Sequence, residues 1–292
     1  MFEGVHTALV TPFRDGKLDE VAFRKLIDMQ FDNGASGIVP VGTTGESPTL
    51  THDEHERVIA IAVEHTAKRG LVIAGTGSNA TAEAIALTQS AEKAGADASL
   101  QVCPYYNKPS QAGLFAHYKA VADATALPIV LYSIPGRCGI EISVETTANL
   151  ASSCSNIRSM KEAGGTPERV SQLVHACPEN FEVVSGDDSM TLPFMSVGAV
   201  GVISVAGNLI PKVMSDLVAA ANSGDYASAQ ALHRKYYGLF SAFLKLDTNP
   251  VPIKTALALR GDVTEELRLP MIPMEAGKKA ELRSILEELG LL

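Results

Sequence analysis

An apolar run from Ile157 to Met160 leads directly into a lysine, an acid and small residues, IRSMKEAGG over 157–165. If the run is a strand, Lys161 is the residue just past its end, an amine presented at the rim of a sheet. Out of water an ammonium loses its proton more readily, because burial penalises the charged form. A neutral amine attacks a ketone and forms a Schiff base. The other reading of Lys161 is a lysine that snorkels from a strand end into solvent.

Further stretches carry groups that could serve such an amine. VGTTGES, Val41 to Ser47, places Gly42 and Gly45 where the backbone can approach a ligand, with the hydroxyls of Thr43 and Thr44 beside N–H groups. That turn suits a carboxylate. No GK[ST] follows, so it is not a phosphate loop, and an ordinary Gly/Thr turn is the alternative. CPYYNKP supplies Tyr105 and Tyr106, and YSIPGRCG supplies Tyr132 and Arg137. A tyrosine hydroxyl can pass a proton while its ring packs on apolar walls. An arginine can hold a carboxylate with two parallel hydrogen bonds. SGDD, Ser185 to Asp188, brings Asp187 and Asp188, one of which is expected to cap a helix. His52 and His55, with Asp53, Glu54 and Glu56, make an HxxH rather than an HExxH pattern. With no third ligand evident they read as the polar face of a helix's first turns, and no metal is expected.

These groups must be positioned by the elements between them. Strand-like runs fall at Val5–Val10, Gly37–Val41, Leu71–Ala74, Ala98–Val102, Pro128–Tyr132, Ile157–Met160, Phe181–Ser185 and Gly201–Val205. Helical stretches lie between them: Asp19–Asn33, a helix opened by Thr51 with Glu54 in a capping box, Ala80–Ala94, Ser110–Thr125, Val144–Ala151, Thr166–Ala176 and Ser189–Val197. The spacing assigns Val21, Leu26, Ile27 and Met29 or Phe31 to the apolar face of the first of these. Unbroken alternation predicts an α/β fold of the (β/α)8 TIM-barrel type, in which strand ends share one mouth. The runner-up, an open doubly wound sheet, would carry a GxGxxG turn where Thr11-Pro12-Phe13 stands. Past residue 225 only helices are expected, at Tyr226–Leu246, Pro252–Leu259 and Met274–Leu289. The organisation is therefore a barrel over 1–225 and a C-terminal helical region over 226–292.

The 292 residues suit one barrel, and 46% hydrophobic residues suit a large core. A net charge of -9 with no lysine/arginine block argues against nucleic acid. The four cysteines, Cys103, Cys138, Cys154 and Cys177, form no CxxC pair and read as reduced thiols. MFEGVHTALVTPF lacks a basic leader pattern, and the uncharged Ser189–Pro211 is interrupted by Pro193, Gly198, Gly201 and Gly207. A cytoplasmic protein without a membrane span is expected.

GTTGES, PYYNKPSQ, YSIPGRCG, KEAGG and SGDD, in this order and spacing, resemble the 4-hydroxy-tetrahydrodipicolinate synthase (dihydrodipicolinate synthase) family, within the pyruvate-dependent class I aldolases. The likeness extends to the LRLPMIP stretch near the C-terminus. It implies that Lys161 condenses with pyruvate, that Thr44 holds the pyruvate carboxylate, and that Ile203, through its carbonyl, and Gly186 line the pocket. Tyr132, Thr43 and Tyr106 would relay protons, Tyr106 coming from an adjacent subunit, so a homodimer is the least competent unit and a tetramer is usual. Arg137 would bind the carboxylate of aspartate semialdehyde, where sialic-acid lyases generally lack an arginine. Ser133, Gly136 and Cys138 depart from the residues common there, but no reacting group is lost. The resemblance also implies feedback inhibition by L-lysine at a subunit interface through Ser47, His52, His55, Asn79, Glu83 and Tyr105. No cofactor is implied. Another pyruvate-dependent aldolase, acting on a sugar acid, and a non-catalytic barrel that binds a small acid are the alternatives.

Overall fold

A computed structural model describes residues 1–292. Strands β1 (Gly4–Ala8), β2 (Gly37–Val39), β3 (Leu71–Gly75), β4 (Ala98–Val102), β5 (Ile129–Ser133), β6 (Ile157–Glu162), β7 (Glu182–Ser185) and β8 (Gly201–Ser204) close into one barrel. Every neighbouring pair is parallel, and β8 pairs with β1 to complete the ring. Alternate side chains turn inward, as the period of a strand requires. Ala8, Val39, Ile73, Leu100, Val130, Tyr132, Val184 and Ile203 fill the barrel together with Phe2, whose backbone N–H donates to Glu182 at the start of β7. The opposite faces of the same strands meet the helices in a larger apolar core.

Helices α1 (Glu20–Asp32), α2 (His52–Thr66), α3 (Thr81–Ala94), α4 (Gln111–Asp123), α5 (Val144–Ser153), α6 (Pro167–Ala176), α7 (Thr191–Met195) and α8 (Pro211–Asn222) follow β1 to β8 in turn. Five of these starts carry a side-chain cap, those of α1, α2, α4, α5 and α6. Asp19 accepts from the Ala22 N–H at the head of α1, and Thr51 and Glu54 form the reciprocal capping box of α2. Each such cap contributes about 1 kcal/mol. The buried stripe of α1 is Phe23, Leu26, Ile27 and Gln30, spaced i, i+3, i+4, i+7. Val21, which the spacing places in the core, is instead 66% exposed.

Helices α9 (Tyr226–Lys245), α10 (Val251–Arg260) and α11 (Ala276–Glu288) complete the chain. Apart from short 3-10 turns, three elements escape the sequence reading. Helix α8 is one: PKVMSDLVAAAN has no side-chain cap, and Pro211 begins it. A hairpin of Phe13–Arg14 with Lys17–Leu18 is another, turned by Asp15 and Gly16, both at positive φ. That Asp-Gly pair is the signal that could have found it. The third is a one-turn helix, Pro135–Cys138, that carries Arg137.

Candidate active site

Lys161 does not follow its strand. It is the penultimate residue of β6, because the ladder to β5 and β7 continues through Glu162. Lys161 is the register partner of Tyr132 on β5 and of Val184 on β7, so it points into the barrel with them. Its Nζ lies 4.2 Å from the centroid of the Tyr132 ring, and the residue is 6% exposed. Burial pushes its pKa from 10.5 to about 7, against the pull of the Asp188 carboxylate and helped by the Arg137 charge. Such an amine is partly neutral near pH 7 and can act as a nucleophile. The snorkelling alternative is excluded by that burial.

Tyr132 is buried, and burial pushes its hydroxyl up to about 12, while the nearby Arg137 charge and a hydrogen bond with the Thr43 side chain pull the other way. It therefore keeps its proton at neutral pH and can give one to a leaving hydroxide or alkoxide only while receiving another. Gly186 has a spatial role. A Cβ there would stand 2.8 Å from Ala163 Cβ and 3.1 Å from Lys161 Cε, so the glycine leaves room for the lysine stem. Ile203 lies in the same inner lining.

The turn after β2 is tightly specified. Val41 and Glu46 both hold left-handed backbone, at φ 51° and 54°, which for such residues stores strain. Gly45 is needed because a Cβ would meet Val41 N at 2.9 Å and Leu9 O at 3.1 Å. Its closeness is thus to backbone rather than to a ligand. The N–H groups of Thr43 and Thr44 take no part in the turn's own hydrogen bonds, which run from Gly45, Glu46 and Ser47. They are available to an anion. Thr44 is buried, and its Oγ1 accepts from Asn249 Nδ2 at 3.1 Å. Arg137 Nη2 donates to the Asn249 carbonyl at 3.2 Å. Asn249 is a site residue that the sequence reading missed.

Asp188 is another. Asp187 is the cap, accepting from the Ser189 N–H at 2.8 Å. Asp188 is buried and accepts from the Ser204 hydroxyl and the N–H groups of Val205 and Ala206 at 3.0 and 2.8 Å. Burial raises its pKa to about 6, so at neutral pH it is mostly a carboxylate close enough to act on Lys161. It can offset a positive charge on the Lys161 nitrogen. Glu162, next to Lys161, is used differently. It pairs with Arg169 at 2.8 Å inside the protein and braces the end of β6.

Beyond this centre a cavity of about 420 Å³ runs outward from Thr43, Tyr132, Arg137 and Cys138 to Ser47, His52, His55, Glu83 and Tyr105. His52 Nε2 is 3.1 Å from Glu83, which also accepts from Ser78. Asn79 does not line the cavity; its Nδ2 donates to the Tyr105 carbonyl at 3.1 Å. His55 does not belong to the polar outer face expected for it. It is buried, and its Nε2 faces the Gly75 carbonyl at 2.9 Å. Only an N–H can donate to a carbonyl, so Nδ1 is left as a buried acceptor without a partner. Burial holds this imidazole neutral by lowering its pKa. Tyr106 is not brought to Lys161 within one chain. It is 90% exposed, at φ 71°, on the loop after β4.

The sequence matches the Dihydrodipicolinate synthetase family over residues 1–289. It is 48% identical to the 4-hydroxy-tetrahydrodipicolinate synthase of Persephonella marina over 293 residues, all of both chains. Among solved structures it is similar to the chloride-inhibited dihydrodipicolinate synthase of Acinetobacter baumannii complexed with pyruvate. The TM-score is 0.97 and the identity 41%, over 100% of each chain. It is also similar to the enzyme of Cyanidioschyzon merolae with lysine bound, at TM-score 0.96 and 40% identity over 100% of this chain and 99% of that one.

Proposed function

The chain belongs to the dihydrodipicolinate synthetase family, and from that premise we propose that it condenses pyruvate with L-aspartate 4-semialdehyde to give 4-hydroxy-tetrahydrodipicolinate, in lysine biosynthesis. The observation that carries this reading is the buried amine of Lys161 beside the Tyr132 ring, with its pKa lowered to about 7.

The residues divide the work as follows. The neutral Lys161 amine adds to the pyruvate ketone, and the carbinolamine loses water to leave an imine. Tyr132 supplies the proton for that water and is re-protonated along Thr43. The free N–H groups and hydroxyl of the Thr43–Thr44 turn hold the pyruvate carboxylate. Asp188 offsets the positive imine nitrogen. Loss of a methyl proton gives the enamine, whose carbon attacks the aldehyde, and the new alkoxide takes a proton from the relay. The amino group of the bound semialdehyde then attacks the imine carbon, closes the ring and releases Lys161. Arg137 holds the semialdehyde's carboxylate as a two-point donor.

Tyr106 completes the relay from a second copy of the chain, which accounts for a tyrosine left 90% exposed on a strained loop. L-Lysine acts as an inhibitor in the outer part of the cavity. There Glu83 receives an ammonium group, and His52, His55, Ser47 and Tyr105 surround it. The lysine-bound relative supports that assignment.

The test is intact-protein mass after pyruvate and borohydride, with peptide mapping. One reduced pyruvyl group on Lys161 is expected. Folded protein that gains no adduct would overturn the aldolase reading.

A further inference from the structure

We propose that Asn249 is a positioning residue for pyruvate, whose side-chain amide fixes the Thr44 hydroxyl so that its single proton faces the substrate carboxylate. The proposal rests on the reading of Thr44 as the carboxylate's holder. Three observations carry it.

The first is the hydrogen bond itself. Asn249 Nδ2 donates to Thr44 Oγ1 at 3.1 Å, and both residues are buried. A threonine hydroxyl has one proton and two lone pairs. When an amide N–H occupies a lone pair, the proton is left free for another acceptor. Without that donor the hydroxyl can turn and spend its proton elsewhere.

The second is the state of the rest of the amide. Asn249 Oδ1 is buried and has no partner. An unpaired buried carbonyl is destabilising, and an apolar side chain of similar size would avoid it. Stability alone therefore does not account for an asparagine at this place, whereas orientation of Thr44 does.

The third is how firmly the segment is held. Val251 N donates to the Thr248 carbonyl at 2.9 Å, and Lys254 N donates to the Pro250 carbonyl at 3.0 Å. The fully buried Lys254 ammonium pairs with Glu46, in the same turn as Thr44, and donates to the Glu266 carbonyl at 2.9 Å. Asn249 and Lys254 thus grip one turn at two points. The main chain of Asn249 separately accepts from Arg137 Nη2 at 3.2 Å.

That separation of side chain from main chain makes the proposal testable. Replacing the side chain disturbs Thr44 and leaves the carbonyl that holds Arg137. Steady-state kinetics with both substrates are measured for the full chain and for Asn249→Asp, Asn249→Ser and Asn249→Ala, with melting temperatures alongside. Asn249→Asp, which offers Thr44 only an acceptor, is expected to raise KM for pyruvate about tenfold or more. Asn249→Ala should raise it several-fold and Asn249→Ser less, with KM for the semialdehyde within about twofold throughout. Imine trapping at saturating pyruvate should stay near that of the unsubstituted protein. Unchanged pyruvate KM in the folded variants would overturn the proposal. So would parallel rises in both KM values, which indicate a general distortion of the loop. Should Asn249→Asp fail to fold, Asn249→Ser and Asn249→Ala decide the matter by the same split. If the unsubstituted protein forms no imine, the underlying reading fails. An imine with unmoved KM values in the variants removes only the role of Asn249.

Discussion

The ionisation of Lys161 gives the sharpest quantitative expectation. Its pKa falls from 10.5 to about 7, chiefly through burial. At about 1.4 kcal/mol per tenfold, that difference is on the order of 5 kcal/mol in favour of the neutral amine. An ordinary lysine would be neutral in roughly one molecule in three thousand at pH 7, and this one in about half. The rate of imine formation with pyruvate should therefore rise with pH through a midpoint near 7 and be flat above about 8.5. The assay mixes protein and pyruvate for a short, fixed time at each pH. The sample is then jumped into borohydride at one common pH, and the adduct is read by mass. Asp188→Asn should move the midpoint down, because the carboxylate favours the ammonium. Arg137→Ala should move it up, because a neighbouring cation is removed. The same shift bears on stability. Between about 7 and 10.5 the unfolded chain carries a proton that the folded chain lacks, so stability rises with pH across that window. Below about 7 both states are charged and the penalty is complete. A midpoint near 10, or shifts of the two variants in the same direction, would refute the reasoning.

Lys161→Met abolishes the imine and should stabilise the fold at pH 7 by about 1–3 kcal/mol, visible as a raised melting temperature with a flatter pH dependence. Arg137→Ala should raise KM for the semialdehyde roughly 10- to 100-fold, as expected for a charged hydrogen bond. Pyruvate trapping should suffer far less, and equal losses in both would remove the assigned role. Lys254→Met leaves Glu46 buried without its cation and should cost about 3–5 kcal/mol in chemical denaturation. Adding Glu46→Gln should recover part of that loss, and two independent losses that simply add would deny the pairing. L-Lysine at millimolar concentration should inhibit the enzyme, and Glu83→Gln should relieve the inhibition. Activity of the unsubstituted protein indifferent to lysine would sink that assignment.

The eight strands of the barrel were legible because each is a short apolar run between turn signals. The capping box at Thr51 was legible because its two partners are three residues apart. Lys161, Tyr132, Thr43, Thr44 and Arg137 could be gathered because a barrel brings strand ends to one mouth. What escaped depends on partners far away in the chain. Asp188 reads as one of two acids in a row, and its partners are donors at the end of β8 and just past it, Ser204, Val205 and Ala206. Nothing local to GTTGES assigns Glu46 a part, and its partners, the Lys254 ammonium and the N–H of Arg268, lie more than 200 residues away. His55 sits at a helix start where polar residues face water, yet the Gly75 carbonyl draws it inward. Helix α8 lacks a side-chain cap, although Pro211 in its first turn, the Lys212–Asp216 pair and the i, i+3, i+4, i+7 spacing of Met214, Leu217, Val218 and Ala221 are helix signals that could have found it.

The grip of Asn249 and Lys254 on the turn at Thr44 and Glu46 spans sequence separations of 205 and 208 residues. During synthesis all eight barrel strands have been made by Ser204, whereas these partners, Asn249 and Lys254, follow about 45 to 50 residues later. At the roughly 5–20 residues per second of translation, a nascent barrel spends seconds with the Thr43–Thr44 turn lacking both of these distant partners. In that interval the strained left-handed positions at Val41 and Glu46 have only the turn's own hydrogen bonds and the Thr11 hydroxyl to hold them. Pyruvate recognition should thus be acquired late, as the C-terminal helices dock, after the strands have paired. Ribosome-bound chains of graded length, probed for pyruvate-dependent protection from protease, would show a step between residues 225 and 268 rather than at the closing of the ring.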